Sequence, residues 1–222
     1  MRILLVVAAL LLSTPSRADD WPAAHPNSWH STGFGKLVEV FPPKSRHNPS
    51  DKPVAYVYDL GHPGTAWNVA AKLVWKGPLV NQESPYEAIV SSDGWLVTLD
   101  DWANLGFNHA VVVYDPAGKL VASRKLDDLV PADVRDRDRS RSSRYWRKGA
   151  KYVFDTKQKL VQIWIANAGV LQVSLADGKH KYFPANAAPK RSPNAEDTEV
   201  WSTSLRFSSV TDVLAAQKPK SP

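Results

Sequence analysis

From Gly35 onward the chain is cut into short apolar runs of strand length, alternating or continuous in hydrophobicity, with Gly, Pro, Asn and Asp between them. That punctuation constrains the fold more than any other feature, because side chains in a strand repeat every two residues whereas a helix needs a period near 3.6. Helical periodicity is scarce, so the pattern predicts strands joined by tight turns. The clearest stretch runs from Glu87 to Leu126. It reads EAIVSS, the turn DG, WLVTLDD, a loop WANLGFN, then HAVVVYD, the turn PAGK and LVASRKL, which makes a four-stranded meander. A second meander follows in KYVFDT, LVQIWIA, VLQVSLA and HKYFP, separated by KQK, NAG and DGK. An earlier set, GKLVEVF, VAYVYDL and AAKLVWKG, carries a Pro-rich insertion from Pro42 to Pro53 and offers three strands without an obvious fourth.

Recurring steps tie the sets together. An apolar strand ends in Tyr-Asp or Phe-Asp three times, and a Gly-Lys step twice opens the next strand, which is the signature of internal repeats. SSDGWLVTLDD followed by AVVVYDPAGKL resembles one blade of a β-propeller of the TolB-like or NHL-like kind, in which a Ser-x-Asp-Gly turn precedes the second strand and a Tyr-Asp-x-x-Gly turn follows the third. A closed propeller takes 4 to 8 blades, and this chain has three sets. The expected fold is therefore all-β: repeated antiparallel meanders forming a partial propeller or compact sandwich, or a ring completed by identical chains. A late strand, Glu199 to Phe207, is placed to return to the first set as its fourth strand.

Met1 to Ala18 has one early charge at Arg2, an apolar core from Ile3 to Leu12, and small residues at Ser16 and Ala18. This predicts a cleaved secretory signal, since the apolar run is about half the roughly 20 residues that span a bilayer. The expected product is exported, periplasmic or secreted, with a single β-rich domain from 19 to 212 and a disordered tail from 213 to 222. Without cysteine the chain has no disulfide, no thiol nucleophile and no zinc-thiolate site. Nine tryptophans, spread from Trp21 to Trp201, suit repeated packing positions.

The net charge of +6 is local in origin. Arg135 to Lys148 holds seven basic residues against two aspartates, so the high isoelectric point reports one segment near 127–148. Arg135, Arg137, Arg139, Arg141, Arg144 and Arg147 lie in a stretch whose first ten positions lack any apolar residue, which predicts a solvated loop or exposed helix beginning near Asp127 or Asp128 with Pro131 in its first turn. With Tyr145 and Trp146, the same arginines form a candidate grip on a polyanion, since guanidinium forks match phosphates and carboxylates.

Three carboxylates sit in SSDGWLVTLDD. Asp93 belongs to an Asp-Gly hairpin turn. Strand alternation puts Trp95, Val97 and Leu99 on one face and Leu96, Thr98 and Asp100 on the other, so Asp100 and Asp101 diverge, and paired-acid catalysis needs both facing one substrate. The loop from Asp101 to His109 is the best place for a pocket within the repeats: Trp102 supplies an apolar face, and Asn104 and Asn108 supply fixed donors and acceptors, suited to a sugar or peptide. Its plainer reading is a hairpin connection whose Trp and Phe fold back on the sheet. Asp100, Asp101 and His109 are the least unsuited acid–base candidates for a hydrolase or lyase acting on a glycan-like substrate.

The six histidines show no short metal-ligand spacing, and no nucleophile elbow, Ser-x-x-Lys pair or phosphate-cradling glycine loop occurs. Neither a metal nor a nucleotide cofactor is expected. The leading expectation is a non-catalytic, exported binding protein whose partner is an envelope protein, glycan or acidic polymer.

Overall fold

The computed structural model describes residues 23–24, 27–31, 35–45, 48, 50–61, 71–140, 142–191, 196–198 and 200–201, with backbone alone for 27–31, 196–198 and 200–201. Residues 1–18, expected to be a signal, residues 213–222, expected to be a tail, His25, His47, His62, Arg141 and most of Glu199–Phe207 lie outside them.

The described chain is an all-β protein of repeated antiparallel meanders in three sheets. Sheet I contains β1 (Asn27–Ser31), β2 (Lys36–Phe41), β3 (Val54–Asp59) and β4 (Lys72–Pro78) in sequence order. Sheet II contains β5 (Pro85–Val90), β6 (Leu96–Asp101), β7 (Val111–Tyr114) and β8 (Leu120–Arg124). Two helical turns follow, α1 (Leu126–Leu129) and α2 (Ala132–Arg135). Sheet III contains β9 (Lys151–Asp155), β10 (Leu160–Ile165), β11 (Gly169–Ser174) and β12 (His180–Pro184).

The first set's missing strand comes from its N-terminal side. NSWHS has one large apolar residue in five and so gives no periodic signal, yet all of it pairs with β2, Trp29 opposite Val38. The late segment does return to sheet I, but as a fifth strand. β13 (Glu196–Thr198) pairs with β9 at one edge of sheet III, and one residue later β14 (Val200–Trp201) pairs with β1 at the edge of sheet I. A few residues of backbone thus tie the first strand of the first sheet to the first strand of the last.

Sheet II is the middle layer. Along β5 to β7, Ile89, Val97, Leu99, Val111 and Val113 enter one core with Phe154, Val161, Ile163, Leu171 and Val173 of sheet III. The alternate residues Ala88, Val90, Leu96, Val112 and Tyr114 enter a second core with Val38, Val40, Ala55, Val57 and Trp75 of sheet I. Burial on both faces explains why β7 reads as a continuous hydrophobic run, VVVY, and why all six residues of β6 are buried, its Thr and Asp included. Each fully buried aliphatic side chain contributes roughly 1.5–3 kcal/mol to holding the layers together.

The turns lock the layers at equivalent places. Between β7 and β8, Asp115 Oδ1 accepts from the Ala117 and Lys119 amides, and Gly118, at φ 82°, lies where a Cβ would come 2.7 Å from the Trp75 ring of β4. Between β11 and β12, Asp177 Oδ1 accepts from the Lys179 amide, and Gly178, at φ 68°, lies where a Cβ would overlap Ala122 of β8. In both cases the glycine before the fourth strand of one sheet rests on the fourth strand of the sheet before it. Positive φ and close approach together require glycine there.

Candidate functional site

The Asp93 turn is a hairpin as expected. Ser91 Oγ donates to Asp93 Oδ1 at 2.5 Å and accepts from the Trp95 amide at 3.0 Å, while the Gly94 amide donates to Ser91 O. The carboxylate is consumed in closing the turn.

Asp100 departs from the simple alternation. Its φ is 58°, a left-handed conformation that Asp tolerates better than most residues, and the backbone turns there. Instead of joining Leu96 and Thr98, Asp100 points with Leu99 and Glu87 toward sheet III. Its Oδ1 accepts from the Gly106 amide at 2.8 Å and from Trp146 Nε1 at 3.0 Å, and its Oδ2 accepts from Arg147 Nε at 2.6 Å. Arg147 also donates through Nη1 to Glu87 Oε2 and, at 2.8 Å, to the Tyr152 hydroxyl, which itself donates to Glu87 Oε2 at 2.7 Å. Asp100 is 1% and Arg147 8% exposed, so this is a buried charge cluster joining β5, β6, β9 and the segment after α2.

Burial opposes the charge on Arg147, but Tyr152, Asp100 and Glu87 outweigh it and hold its pKa well above the ordinary arginine value. Burial pushes the Tyr152 phenol up, with Arg147 pulling it down and Glu87 reinforcing the rise. Such a cluster is costly to break, because removing one partner strands a buried charge.

Asp101 points elsewhere, as the expected divergence requires. Its Oδ1 accepts from Asn81 Nδ2 at 2.8 Å and from the Gln82 amide at 3.2 Å, pinning the β4–β5 connection to β6, and Asn81 Oδ1 in turn accepts from Thr98 Oγ1. Asp101 Oδ2 is buried without a hydrogen bond, as is the neighbouring Ser84 Oγ. Burial raises the Asp101 pKa, against the lowering effects of the Asn81 hydrogen bond and nearby His109. His109 Nδ1 bonds Ser123 Oγ at 2.8 Å. Asp100 and Asp101 therefore serve different layers and do not converge on one cleft.

In the loop between Asp101 and His109 the large apolar side chains fold back onto neighbouring elements. Leu105 is buried, and Phe107 lies under the Arg144 guanidinium at 4.5 Å. Trp102 stacks on Tyr86, ring centroids 5.9 Å apart at 27°, and the Arg147 guanidinium lies 5.2 Å from the Tyr86 centroid. Tyr86 is 40% exposed, so the stacked pair presents an aromatic surface backed by the charge cluster. The Asn104 amide donates to Asp101 O, whereas Asn108 is exposed. Tyr86 was missed from the sequence. The signal available was an aromatic directly after Pro85 at a strand start, which has no meaning until Trp102 is placed opposite.

The Arg-rich segment is not the uniformly solvated stretch that its composition predicts. Arg144 bonds Asp127 at 2.5 Å and lies 3.6 Å from Asp136, while Arg135 reaches Asp127 at 3.0 Å and Asp136 at 3.2 Å. Arg139 lies 3.7 Å from Asp136, and Arg137 donates to Ala166 O. Pro131 precedes α2 as its cap residue instead of lying in the first turn of one helix. Trp146 and Arg147, expected with the exposed patch, are interior. Alternating Arg and Asp let the segment fold on its own charges, and the apolar Trp146 beside Arg147 marks where it enters the core.

Among the described residues no group of three or more His, Asp or Glu is arranged to hold a metal, and no helix is long and apolar enough to cross a membrane. A scan against protein-family models finds no match to this chain, and a search of curated proteins finds none either.

Proposed function

We propose that this is an exported, non-catalytic binding protein of the cell envelope or extracellular space, built on propeller-like sheets. It engages a glycan or protein partner through the stacked Tyr86–Trp102 pair. The observation that carries this reading is the pair itself: two aromatic rings held against each other at a loop, partly exposed, with one ring braced by the buried Arg147. Aromatic faces bind the apolar faces of sugars and peptide side chains at low entropic cost, because few torsions have to be frozen. The neighbouring acids support binding over hydrolysis. Asp100 is saturated by three donors, and Asp101 faces a different layer. Export rests on the Met1–Ala18 segment.

The test is affinity capture from an envelope extract with three proteins: the wild type, a Tyr86→Ala/Trp102→Ala variant, and an Arg135→Gln/Arg137→Gln/Arg139→Gln variant. The reading expects the specific partner to be lost with the aromatic pair and kept without the arginines. The reverse pattern moves the site to the Arg-rich segment, whose binding would then fall steeply with salt.

A further inference from the structure

A cleft of about 460 Å³ opens where α2, the β10–β11 turn and the end of β12 meet, and it shares no residue with the aromatic pair. That volume lies within the range of small-molecule sites, roughly 300–1,000 Å³. Its walls carry one full charge of each sign. Asp133 and Arg137 both line it, together with Tyr182, and Pro131, Val134 and Pro184 give it apolar surface.

Among the described residues the two charges form no ion pair with each other. The ion pairs of this region link Arg135, Arg139 and Arg144 to Asp127 and Asp136, and none joins Asp133 to Arg137. Among the described residues the Asp133 carboxylate takes no hydrogen bond or ion pair. Arg137 spends one N–H on Ala166 O at 2.9 Å, which holds the guanidinium at the turn and leaves its other donors available. Tyr182 donates its hydroxyl to Ala168 O at 2.8 Å, fixing its ring as a wall. The same phenol feels both charges: after burial, which raises its pKa, Asp133 raises it further and Arg137 lowers it.

A carboxylate and a guanidinium that face one cleft, neither with an ion-pair partner among the described residues, are complementary to a ligand with both signs, its ammonium to Asp133 and its carboxylate to Arg137, whose planar fork matches a carboxylate bidentately. The apolar wall suits an aliphatic body between or beside those groups. We propose that this cleft binds a small zwitterion, an α-amino acid or short peptide with free termini.

Isothermal titration of the whole protein tests this, using L-leucine and L-leucyl-L-leucine as probes. Their C-terminal amides and N-acetyl derivatives each lack one charge. The expected result is saturable binding of at least one zwitterion, weakened about tenfold or more by blocking either terminus and by Asp133→Asn or Arg137→Gln. Both positions are exposed, and an unchanged circular dichroism spectrum shows that each variant is folded. Failure of both zwitterions to bind overturns the proposal. So does equal binding of the blocked forms, or binding that survives both substitutions.

Discussion

Arg147 Nε lies 2.6 Å from Asp100 Oδ2 in the interior between sheets II and III, across 47 residues of sequence. The pair joins the end of β6 to the entry of β9, and Glu87 and Tyr152 complete it. An Asp that looks like a catalytic candidate in the sequence is thereby a fastening between layers.

Replacing Asp100 with Ala removes three acceptor contacts, strands the Arg147 charge beside Glu87 alone, and places Ala at positive φ. We expect a loss of about 3–5 kcal/mol in urea unfolding. Asp100→Asn should be milder, since Asn tolerates the backbone angle and retains one acceptor. If Asp100→Ala unfolds within about 0.5 kcal/mol of the wild type, the cluster is not what holds sheets II and III together.

Asp101 sets a pH dependence of opposite sign to the usual carboxylate. Its folded pKa is raised above the ordinary 3.8, so the native state binds the proton more readily than the unfolded chain. Its contribution is fully present below pH 3.8 and is lost as pH rises through the folded value. Asp59 and Asp127, held below the ordinary value first by hydrogen bonds from Lys36 and Arg144, act the other way, their stabilisation disappearing as pH falls. The comparison of wild type with Asp101→Asn isolates the first effect: relative to the variant, the wild type should lose stability as pH is raised from 3.5 to 7. A constant difference across that range contradicts this.

The two turn glycines separate inter-sheet packing from backbone strain. Gly149→Ala incurs mainly the cost of positive φ, about 1–2 kcal/mol, because its nearest neighbour would be 3.8 Å away. Gly118→Ala and Gly178→Ala incur that cost and also collide with Trp75 and Ala122, so both should be clearly more destabilised in thermal melts. Equal losses at all three positions would mean that the turn-to-sheet contacts carry little energy.

Much of the fold is legible in the sequence because its signals are local. Asp-Gly turns, strand-ending Tyr-Asp steps and runs such as VVVY specify the meanders without reference to the rest of the chain. What was illegible is non-local or atypical. NSWHS carries one large apolar residue, and its pairing depends on β2. The flip at Asp100 follows from a left-handed residue inside a strand, which period-2 reasoning has no means of detecting. The Arg-rich segment pairs in part with its own Asp136 and Asp138 and in part with Asp127, Glu87 and Asp100, which lie outside the run, so its composition alone does not show how it folds. The candidate site has the same character, since Tyr86 and Trp102 are each ordinary alone and become a surface only when β5 and the β6–β7 loop are brought together.

The most direct test of binding through that surface is the capture comparison across wild type, Tyr86→Ala/Trp102→Ala and Arg135→Gln/Arg137→Gln/Arg139→Gln, each confirmed folded by its melting curve. Loss of the specific partner in the aromatic variant alone is the predicted result. A partner retained by the aromatic variant at wild-type yield would contradict the account.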